Sequence, residues 1–405
     1  MVQSENQVPA QTAWAWDARR IGLLGILIFS RFLHSTLLRI VYPFAPAFAR
    51  GLGVPIGTIY LVVSFRNLLS LLSPLFASLP QRFGYRNVMA AAIMALSAVC
   101  LLVAGVPVFW TFAVAIIAGG VIKVIFDPTM QAYLGDIVPY SQRGKAISLT
   151  EFGWSGAFLI GAPLTGWLIA QQGWSAPFLW LGLAAVPTAV LLRRALPPTG
   201  KAAGHETAGL GYIWRTLRRY PVIWASSLFM MLALVAQESF FIVYGDWMES
   251  VFKLNLTSLG AATILIGVAE TCGEATAGWS TDRFGKRPVT ILCGLINAAI
   301  FLLIPLSTGS LVTAVVAMVA LFFTFEVAVV GAIPLLTELV PGARTVVMSM
   351  SLGAMAAGRT IGSLIGPIAW SRAGVAGNSI IAAVMMLLAV LVLFRWLHEG
   401  KEEIS

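Results

Sequence analysis

The chain has 405 residues, of which 59% are hydrophobic and only 11% are charged, and its mean hydropathy is +0.88. Apolar runs of about 18 residues or more recur along it, and this composition excludes a soluble globular protein. The net charge of +9 does not indicate a nucleic-acid partner, because the positive residues lie in short loops between the apolar runs. The three cysteines all lie within apolar runs, which argues against a disulfide framework or a metal site.

Twelve apolar spans without the alternation of barrel strands predict an all-α membrane protein. In chain order, they cover residues 21–49, 56–79, 87–106, 108–133, 146–171, 174–192, 221–245, 257–280, 288–307, 311–337, 345–371 and 377–396. The first span is too long for a signal peptide and lacks a cleavage site. The spans divide the chain into an N-terminal tail (1–20), a six-span half (21–192), a central loop (193–220), a second six-span half (221–396) and a C-terminal tail (397–405).

Positive charge is concentrated on one side of the predicted membrane. The loops of the other side carry only Arg50, Lys253 and Arg372 as basic residues. By the positive-inside rule, both termini are therefore expected in the cytoplasm, which requires an even number of spans. The central loop ends in YIWRTLRRY (212–220), which is either a basic amphipathic segment on the inner membrane surface or a plain loop.

The sequence also contains an internal repeat. A shift of 201 residues places QRFGYR (81–86) on DRFGKR (282–287), and a shift of 202 places DIVP (136–139) on ELVP (338–341). Landmarks in the same order at nearly the same offset indicate two related six-helix halves. Transporters built from such repeats bind their substrate between the halves, near the bilayer midplane.

The stretch GWSTDRFGKR (278–287) matches the turn motif G-x-x-x-D-R-x-G-[RK]-[RK] of the Major Facilitator Superfamily. With this motif, its two six-helix halves and its long central loop, the chain resembles that family. The resemblance covers essentially the whole chain. It implies a bacterial twelve-helix transporter in the cytoplasmic (inner) membrane, and not an enzyme. The first copy of the turn departs from the pattern, because Ala77 replaces the glycine and Gln81 replaces the aspartate.

The turn residues are predicted to act as a cytoplasmic gate, since glycine permits a tight turn and an acidic side chain can pair with basic ones to lock neighbouring helices. The gate residues are Gly278, Asp282, Arg283, Gly285, Lys286, Arg287, Arg82, Gly84, Arg86, Asp136 and Glu338. Asp282 is expected to pair with the basic residues of its own turn. Asp136 is expected to pair with Arg82 or Arg86, because Gln81 has no charge. The alternative is a topology anchor without a gating role.

A second motif lies in the fifth span, where Gly161, Pro163 and Gly166 resemble a relaxed form of the G-P-x-x-G motif of the family's antiporters. Gly366 and Pro367 are its counterparts in the eleventh span. Such residues allow membrane helices to bend and pack closely. The fourth span lacks the arginine that many drug/proton antiporters carry four residues before a glycine, since Ala115 stands there.

Twelve ionisable side chains lie inside the predicted spans, where charge is costly and usually functional. The proton-coupling candidates are Glu270, Glu274, Glu326, Glu238, Asp127 and Glu151, and the candidates for a substrate cavity are Arg31, His34, Arg39, Arg66, Lys123 and Arg359. The first half is mainly cationic and the second mainly acidic, so the halves are expected to pair across a central cavity. Glu270 and Glu274 share one helix face, where both cannot ionise cheaply, so at least one is expected to hold a proton. For each residue the alternative is a structural ion pair.

These patterns predict a secondary transporter that exports a small organic solute in exchange for protons. One alternative is proton-coupled uptake of an anionic metabolite, and another is a membrane sensor that does not transport. No nucleotide loop or metal-ligand spacing is present, so the proton gradient is the expected driving force and no cofactor is expected. The expected partners are a small-molecule substrate and the lipid bilayer, and the protein is expected to be monomeric.

Overall fold

The computed structural model describes residues 17–76, 78–197 and 210–397. Every regular element within these residues is helical, as the long apolar runs predict. Predictions for residues 1–16, Ala77, 198–209 and 398–405 lie outside the described residues. They concern most of both tails, the first part of the central loop and the alanine in the first turn motif.

The first half contains six spans, several of them made of consecutive helices. Span 1 is Ala18–Arg39 with Val41–Leu52, span 2 is Ile56–Leu69 with Ser70–Leu72 and Ser73–Phe76, span 3 is Tyr85–Gly105, span 4 is Phe109–Ile137, span 5 is Tyr140–Gly156 with Ala157–Gly161 and Ala162–Gln172, and span 6 is Ala176–Ala195. The short helix Leu79–Phe83 connects spans 2 and 3. Span 1 begins earlier than predicted because the Asp17 side chain caps it, accepting a hydrogen bond from the Arg20 amide at 2.8 Å.

The second half repeats this arrangement. Span 7 is Val222–Phe241 with Tyr244–Phe252, span 8 is Leu256–Phe284, span 9 is Lys286–Leu303 with Ile304–Gly309, span 10 is Leu311–Glu338, and spans 11 and 12 lie in Arg344–Trp396. Spans 11 and 12 meet at Gly374, whose φ of 56° and ψ of −148° break the helix. Side chains with a Cβ avoid this conformation, so glycine permits the sharp reversal.

The predicted twelve spans follow from these helices. Among the described residues, ten helices are long and apolar enough to cross a membrane, one of them Arg344–Trp396, and Ile56–Leu72 is a shorter apolar helix. Division at Gly374 and inclusion of span 2 bring the number to twelve. Because successive spans alternate in direction, both described ends of the chain lie on one face of the bundle, here named the terminal face. The opposite face is named the far face.

The end of the central loop forms the helix Leu210–Arg219, which lies outside the spans. Thr216 and Leu217 are buried, whereas Tyr212 and Trp214 are exposed. The Tyr212 hydroxyl donates a hydrogen bond to the Gly342 carbonyl at 3.3 Å, which attaches this helix to the turn between spans 10 and 11. The segment is therefore helical and not a plain loop, and its location on the inner membrane surface stays a prediction.

Small residues bring the two halves together toward the far face. A Cβ added at Gly166 in span 5 would lie 2.4 Å from the Leu256 carbonyl oxygen of span 8, and one at Gly245 in span 7 would lie 2.2 Å from the Pro43 carbonyl oxygen of span 1. Arg50 and Glu249 form an ion pair at 2.5 Å nearby. Backbones that approach this closely leave no room for larger side chains, so these glycines are required for the contact.

Candidate functional site

The ionisable side chains predicted at membrane depth lie near the middle of their spans. Arg66, Lys123 and Glu270 are the central residues of spans 2, 4 and 8, and Glu238 and Glu326 lie within about two residues of the centres of spans 7 and 10. Charged groups at this depth need partners, because the surrounding apolar medium does not solvate them. Their contacts place all of them except Glu274 and Glu326 in three groups.

The first group lies within the first half and is centred on Asp127. Its carboxylate forms an ion pair with Lys123 one turn earlier, and its Oδ1 lies 3.7 Å from the Arg31 guanidinium. The fully buried His34 ring places Nε2 3.1 Å from the same oxygen, without the alignment of a hydrogen bond. Arg31 also binds Glu151 at 2.6 Å. Spans 1, 4 and 5 are thus joined by a network in which the predicted cations and acids neutralise one another.

The second group joins the halves through Arg39 of span 1 and Glu270 of span 8. The Arg39 Nη2 donates to Glu270 Oε1 at 2.5 Å, and both side chains are almost fully buried. The guanidinium carbon lies 3.4 Å from the Phe158 ring centroid and 4.3 Å from that of Trp154. Such stacking suits the weakly hydrated guanidinium. Glu270 Oε2 is buried and accepts no hydrogen bond from a described residue.

The third group surrounds Glu238 of span 7. Its Oε1 accepts hydrogen bonds from the Tyr42 hydroxyl at 2.8 Å and from the Asn67 amide at 3.3 Å. Arg66 donates in turn to the Tyr42 hydroxyl at 2.9 Å and to the Leu38 carbonyl at 2.8 Å. Arg359 of span 11 is the loosest member, with Nη1 4.0 Å from Glu238 Oε2. This network also crosses between the halves.

Tyr42, Asn67 and Trp154 are members of these groups that the sequence analysis did not name as site residues. Tyr42 and Asn67 are uncharged polar residues inside apolar spans, and a search limited to ionisable groups passes over them. Their polarity within apolar spans is the sequence signal that distinguishes Tyr42 and Asn67. Trp154 contacts Lys123 and Arg39 through its ring, at 4.7 and 4.3 Å. Its sequence context does not distinguish it from tryptophans at the membrane interface.

Two acids have a different environment. Glu274 and Glu326 accept no hydrogen bond and form no ion pair with any residue of 17–76, 78–197 and 210–397, and both are partly accessible. Glu326 packs close to Gly273, where an added Cβ would lie 2.8 Å from the Glu326 Cβ. Glu274 lies within electrostatic range of Glu151 and Glu270, and Glu326 within range of Glu270 and Glu274. The central cluster therefore combines paired charges with two unpaired carboxylates.

The two turn motifs have the same backbone conformation. Gly84 has φ 80° and ψ 149°, and Gly285 has φ 87° and ψ 145°. Both therefore occupy a region that favours glycine, as the repeat predicts. The residues that follow these glycines pair with equivalent acids, since Tyr85 donates to Asp136 at 2.6 Å and Lys286 binds Glu338.

Two expectations for these turns do not hold in this conformation. Asp136 pairs with Tyr85 and has no described contact with Arg82 or Arg86, because the tyrosine hydroxyl is directed at the carboxylate from the first turn of span 3. Asp282 is exposed and forms no ion pair with a described residue. The basic residues of that turn have other partners. Arg283 lies over the Trp279 and Phe284 rings, and Arg287 donates to the Phe394 and Leu397 carbonyls. Gly278 has open space around its Cα.

The residues of the helix-bend motif make close helix contacts. Gly161 ends a π turn and faces the Thr36 side chain of span 1, and the Pro163 Cα lies 2.9 Å from a Cβ added at Gly260 in span 8. In span 11, a Cβ at Gly366 would lie 2.4 Å from the Ser239 carbonyl oxygen of span 7. Pro367 follows within the helix. The π turn Ala157–Gly161 in span 5 relieves the backbone crowding that Pro163 causes.

No group of three His, Cys, Asp or Glu side chains suited to a metal ion occurs among the described residues. Cys100, Cys272 and Cys293 are free thiols.

Comparisons with known proteins agree with this architecture. The family profile described as Major Facilitator Superfamily matches residues 27–269 and 231–405. The MFS-type transporter YwfA of Bacillus subtilis (strain 168) is 24% identical over 377 residues, 90% of this chain and 89% of that protein. YceJ, another MFS-type transporter of that organism, is 23% identical over 248 residues, 61% of this chain and 63% of YceJ, so the match spans less than two thirds of its length.

Solved structures share the fold. A bacterial homolog of the human lysosomal transporter Spinster, in an inward-facing and occupied conformation, superposes with a TM-score of 0.77 at 14% identity, covering 94% of this chain and 97% of the other. The partially occluded inward-open xylose transporter XylE from E. coli superposes with a TM-score of 0.75 at 16% identity, covering 96% and 100%. The profile match, the duplicated turns and the twelve-helix fold together establish that this chain belongs to the Major Facilitator Superfamily and is a multi-pass membrane transporter of small molecules, not an enzyme.

Proposed function

We propose that this transporter exports a small organic solute across the cytoplasmic membrane in exchange for protons, with its terminal face in the cytoplasm. The observation that carries the proposal is the pair of unpaired carboxylates, Glu274 and Glu326, at the centre of the bundle. A carboxylate without a partner at this depth is stabilised when it binds a proton. Proton uptake and release there would couple transport to the proton gradient.

The charge balance of the cluster supports antiport over symport. The acids Asp127, Glu151, Glu238, Glu270, Glu274 and Glu326 face the cations Arg31, Arg39, Arg66, Lys123 and Arg359, which leaves one excess negative charge when His34 is neutral. A proton or a cationic group of the substrate would neutralise this excess. Two ligands that neutralise the same charge compete for it, and competition is what an exchanger requires.

Accessibility supports an opening toward the terminal face. The side chain of Glu151, in the terminal-face half of span 5, is 32% exposed, whereas that of Arg39, in the far-face half of span 1, is 4% exposed. The close glycine contacts between the halves lie beyond Arg39, toward the far face. Rocking of the halves about the centre would open these contacts and close the terminal face.

Reconstituted protein tests the proposal. A pH gradient across proteoliposome membranes should drive solute against its concentration gradient, and the double variant Glu274→Gln/Glu326→Gln should lose this coupling. The control is Asp17→Asn, because Asp17 lies on the surface and asparagine also caps a helix. Undiminished pH-driven transport by the double variant would refute the role of the two acids.

A second candidate is proton-coupled uptake of an anionic solute. It is favoured by the positions of Lys123 and Arg359, which come from different halves and lie 4.7 and 6.0 Å from the same Trp154 ring. An anion bound between them would favour protonated acids nearby, so anion and proton would enter together. Alkalinisation of the medium outside the liposomes on addition of substrate supports uptake, and acidification supports exchange.

A further inference from the structure

The second half contains a basic side chain whose donors make no hydrogen bond to a described residue, Arg359 of span 11. Its guanidinium donates no hydrogen bond to a described residue, and its nearest acidic oxygen is 4.0 Å away in Glu238. That carboxylate already accepts hydrogen bonds from Tyr42 and Asn67. Arg359 is also the most exposed of the five cations at the centre, at 35% of its side chain. A guanidinium in this setting can bind a carboxylate or phosphate in two-pronged fashion.

The same half contains the two unpaired acids, Glu274 and Glu326. Glu326 lies within electrostatic range of Arg359 but forms no ion pair with it. The small residue Gly273, next to Glu274, lets Glu326 approach span 8. Glu326 therefore lies within electrostatic range of both Glu274 and Arg359 without forming an ion pair with a described residue.

The remaining charges of the cluster are occupied. Arg31 and Lys123 bind acids of their own half, and Arg39 binds Glu270. Arg66 donates to Tyr42, Leu38 and Asn67. A ligand that enters from the terminal face thus meets one cation with only a loose acidic contact, Arg359, and two acids without a partner among the described residues, Glu274 and Glu326.

We infer that the substrate is a zwitterion, whose anionic group binds Arg359 and whose amine binds between Glu274 and Glu326. The inference rests on the proposed function and gives it a substrate class. A simple organic cation would leave the arginine without a partner, and a simple anion would leave both acids without one. A zwitterion satisfies all three groups, and its amine competes with protons for the acids as an exchanger requires.

Matched ligands test the inference on the full-length protein in detergent. Each set contains an α-amino acid, the amine that lacks its carboxylate and the acid that lacks its amine, for several apolar side chains. In at least one set, the zwitterion should bind at least tenfold more tightly than either relative, as measured by calorimetry. Equal binding of the amine or the acid, or no binding by any zwitterion, would overturn the inference.

Variants separate the two ends of the ligand. Arg359→Gln should weaken binding of the zwitterion at least tenfold while binding of the amine is unchanged, and Glu274→Gln/Glu326→Gln should weaken the zwitterion while binding of the acid is unchanged. Arg372→Gln, on the exposed surface outside the cluster, is the matched control. Thermal unfolding and gel filtration verify that each variant is folded. Equal losses for zwitterion and amine in Arg359→Gln would overturn the assignment.

Failure of the inferred substrate class and failure of the proposed exchange mechanism would give different experimental results. Proton-coupled export of amines without preference for zwitterions would refute the substrate class and leave the exchange mechanism intact. Selective binding of zwitterions without any effect of a pH gradient on their transport would refute the exchange mechanism and leave the substrate class intact.

Discussion

Arg39 of span 1 and Glu270 of span 8 form a buried ion pair at 2.5 Å that connects the two halves at the middle of the bundle. The arginine lies against the rings of Phe158 and Trp154, so its position is held by packing as well as by charge. Burial makes the pair sensitive to the loss of either partner, because the remaining charge would have no solvent or counter-ion.

Removal of one partner should therefore destabilise the protein more than removal of both. Arg39→Gln and Glu270→Gln are each expected to lower the free energy of unfolding by about 3–5 kcal/mol, and the double variant should lower it by less than either single variant. Thermal unfolding in detergent compares the stabilities of the two single variants and the double variant. Strictly additive losses would mean that the two side chains do not interact.

The Tyr42 hydroxyl should stabilise the protein in addition to the packing of the Tyr42 ring. Tyr42→Phe leaves Arg66 and Glu238 each without one hydrogen-bond partner in a buried site, at an expected cost of about 1–3 kcal/mol. Tyr60→Phe is a matched control, because the buried Tyr60 hydroxyl has no partner among the described residues and its removal should be nearly neutral. Equal effects of the two substitutions on the melting temperature would contradict the role of the Tyr42 hydroxyl.

Closure of the far face should depend on Gly166. In Gly166→Ala the added methyl group would lie 2.4 Å from a backbone oxygen of the other half, so the halves must separate there. We expect greater labelling of cysteines introduced near the far face, such as at Pro46. Gly57→Ala, which has open space around it, should leave labelling unchanged. Unchanged labelling in Gly166→Ala would show that the contact does not hold the face closed.

The exposed Asp282 should act in a conformation other than this one. Asp282→Asn is expected to leave thermal stability nearly unchanged, since the carboxylate has no ion-pair partner among the described residues here. It should nevertheless alter labelling of cavity cysteines if Asp282 pairs when the terminal face closes. A substitution of Gln81 in the first turn should have a smaller effect. An absence of any shift in Asp282→Asn would identify the turn as an anchor without a gating role.

The fold could be predicted from local properties of the sequence. Span length, the exclusion of charge from apolar runs and the glycine in each turn depend on neighbouring residues and on the bilayer, so twelve spans and two related halves followed from the chain itself. Gly84 and Gly285 illustrate this, because a tight turn at the membrane surface requires the same backbone conformation in both copies.

The candidate site could be predicted only as a set of residue types. The sequence identified the ionisable side chains at membrane depth, and Glu270, Glu274 and Glu326 were among its six candidate proton carriers. The structure separates them, since Glu270 binds Arg39 and the other two have no partner among the described residues. Arg39 and Glu270 are 231 positions apart, and Tyr42 and Glu238 are 196 apart. Hydrophobic length and charge placement determine which helices form, whereas pairing depends on how distant helices rotate and pack against one another, and only the tertiary structure decides that.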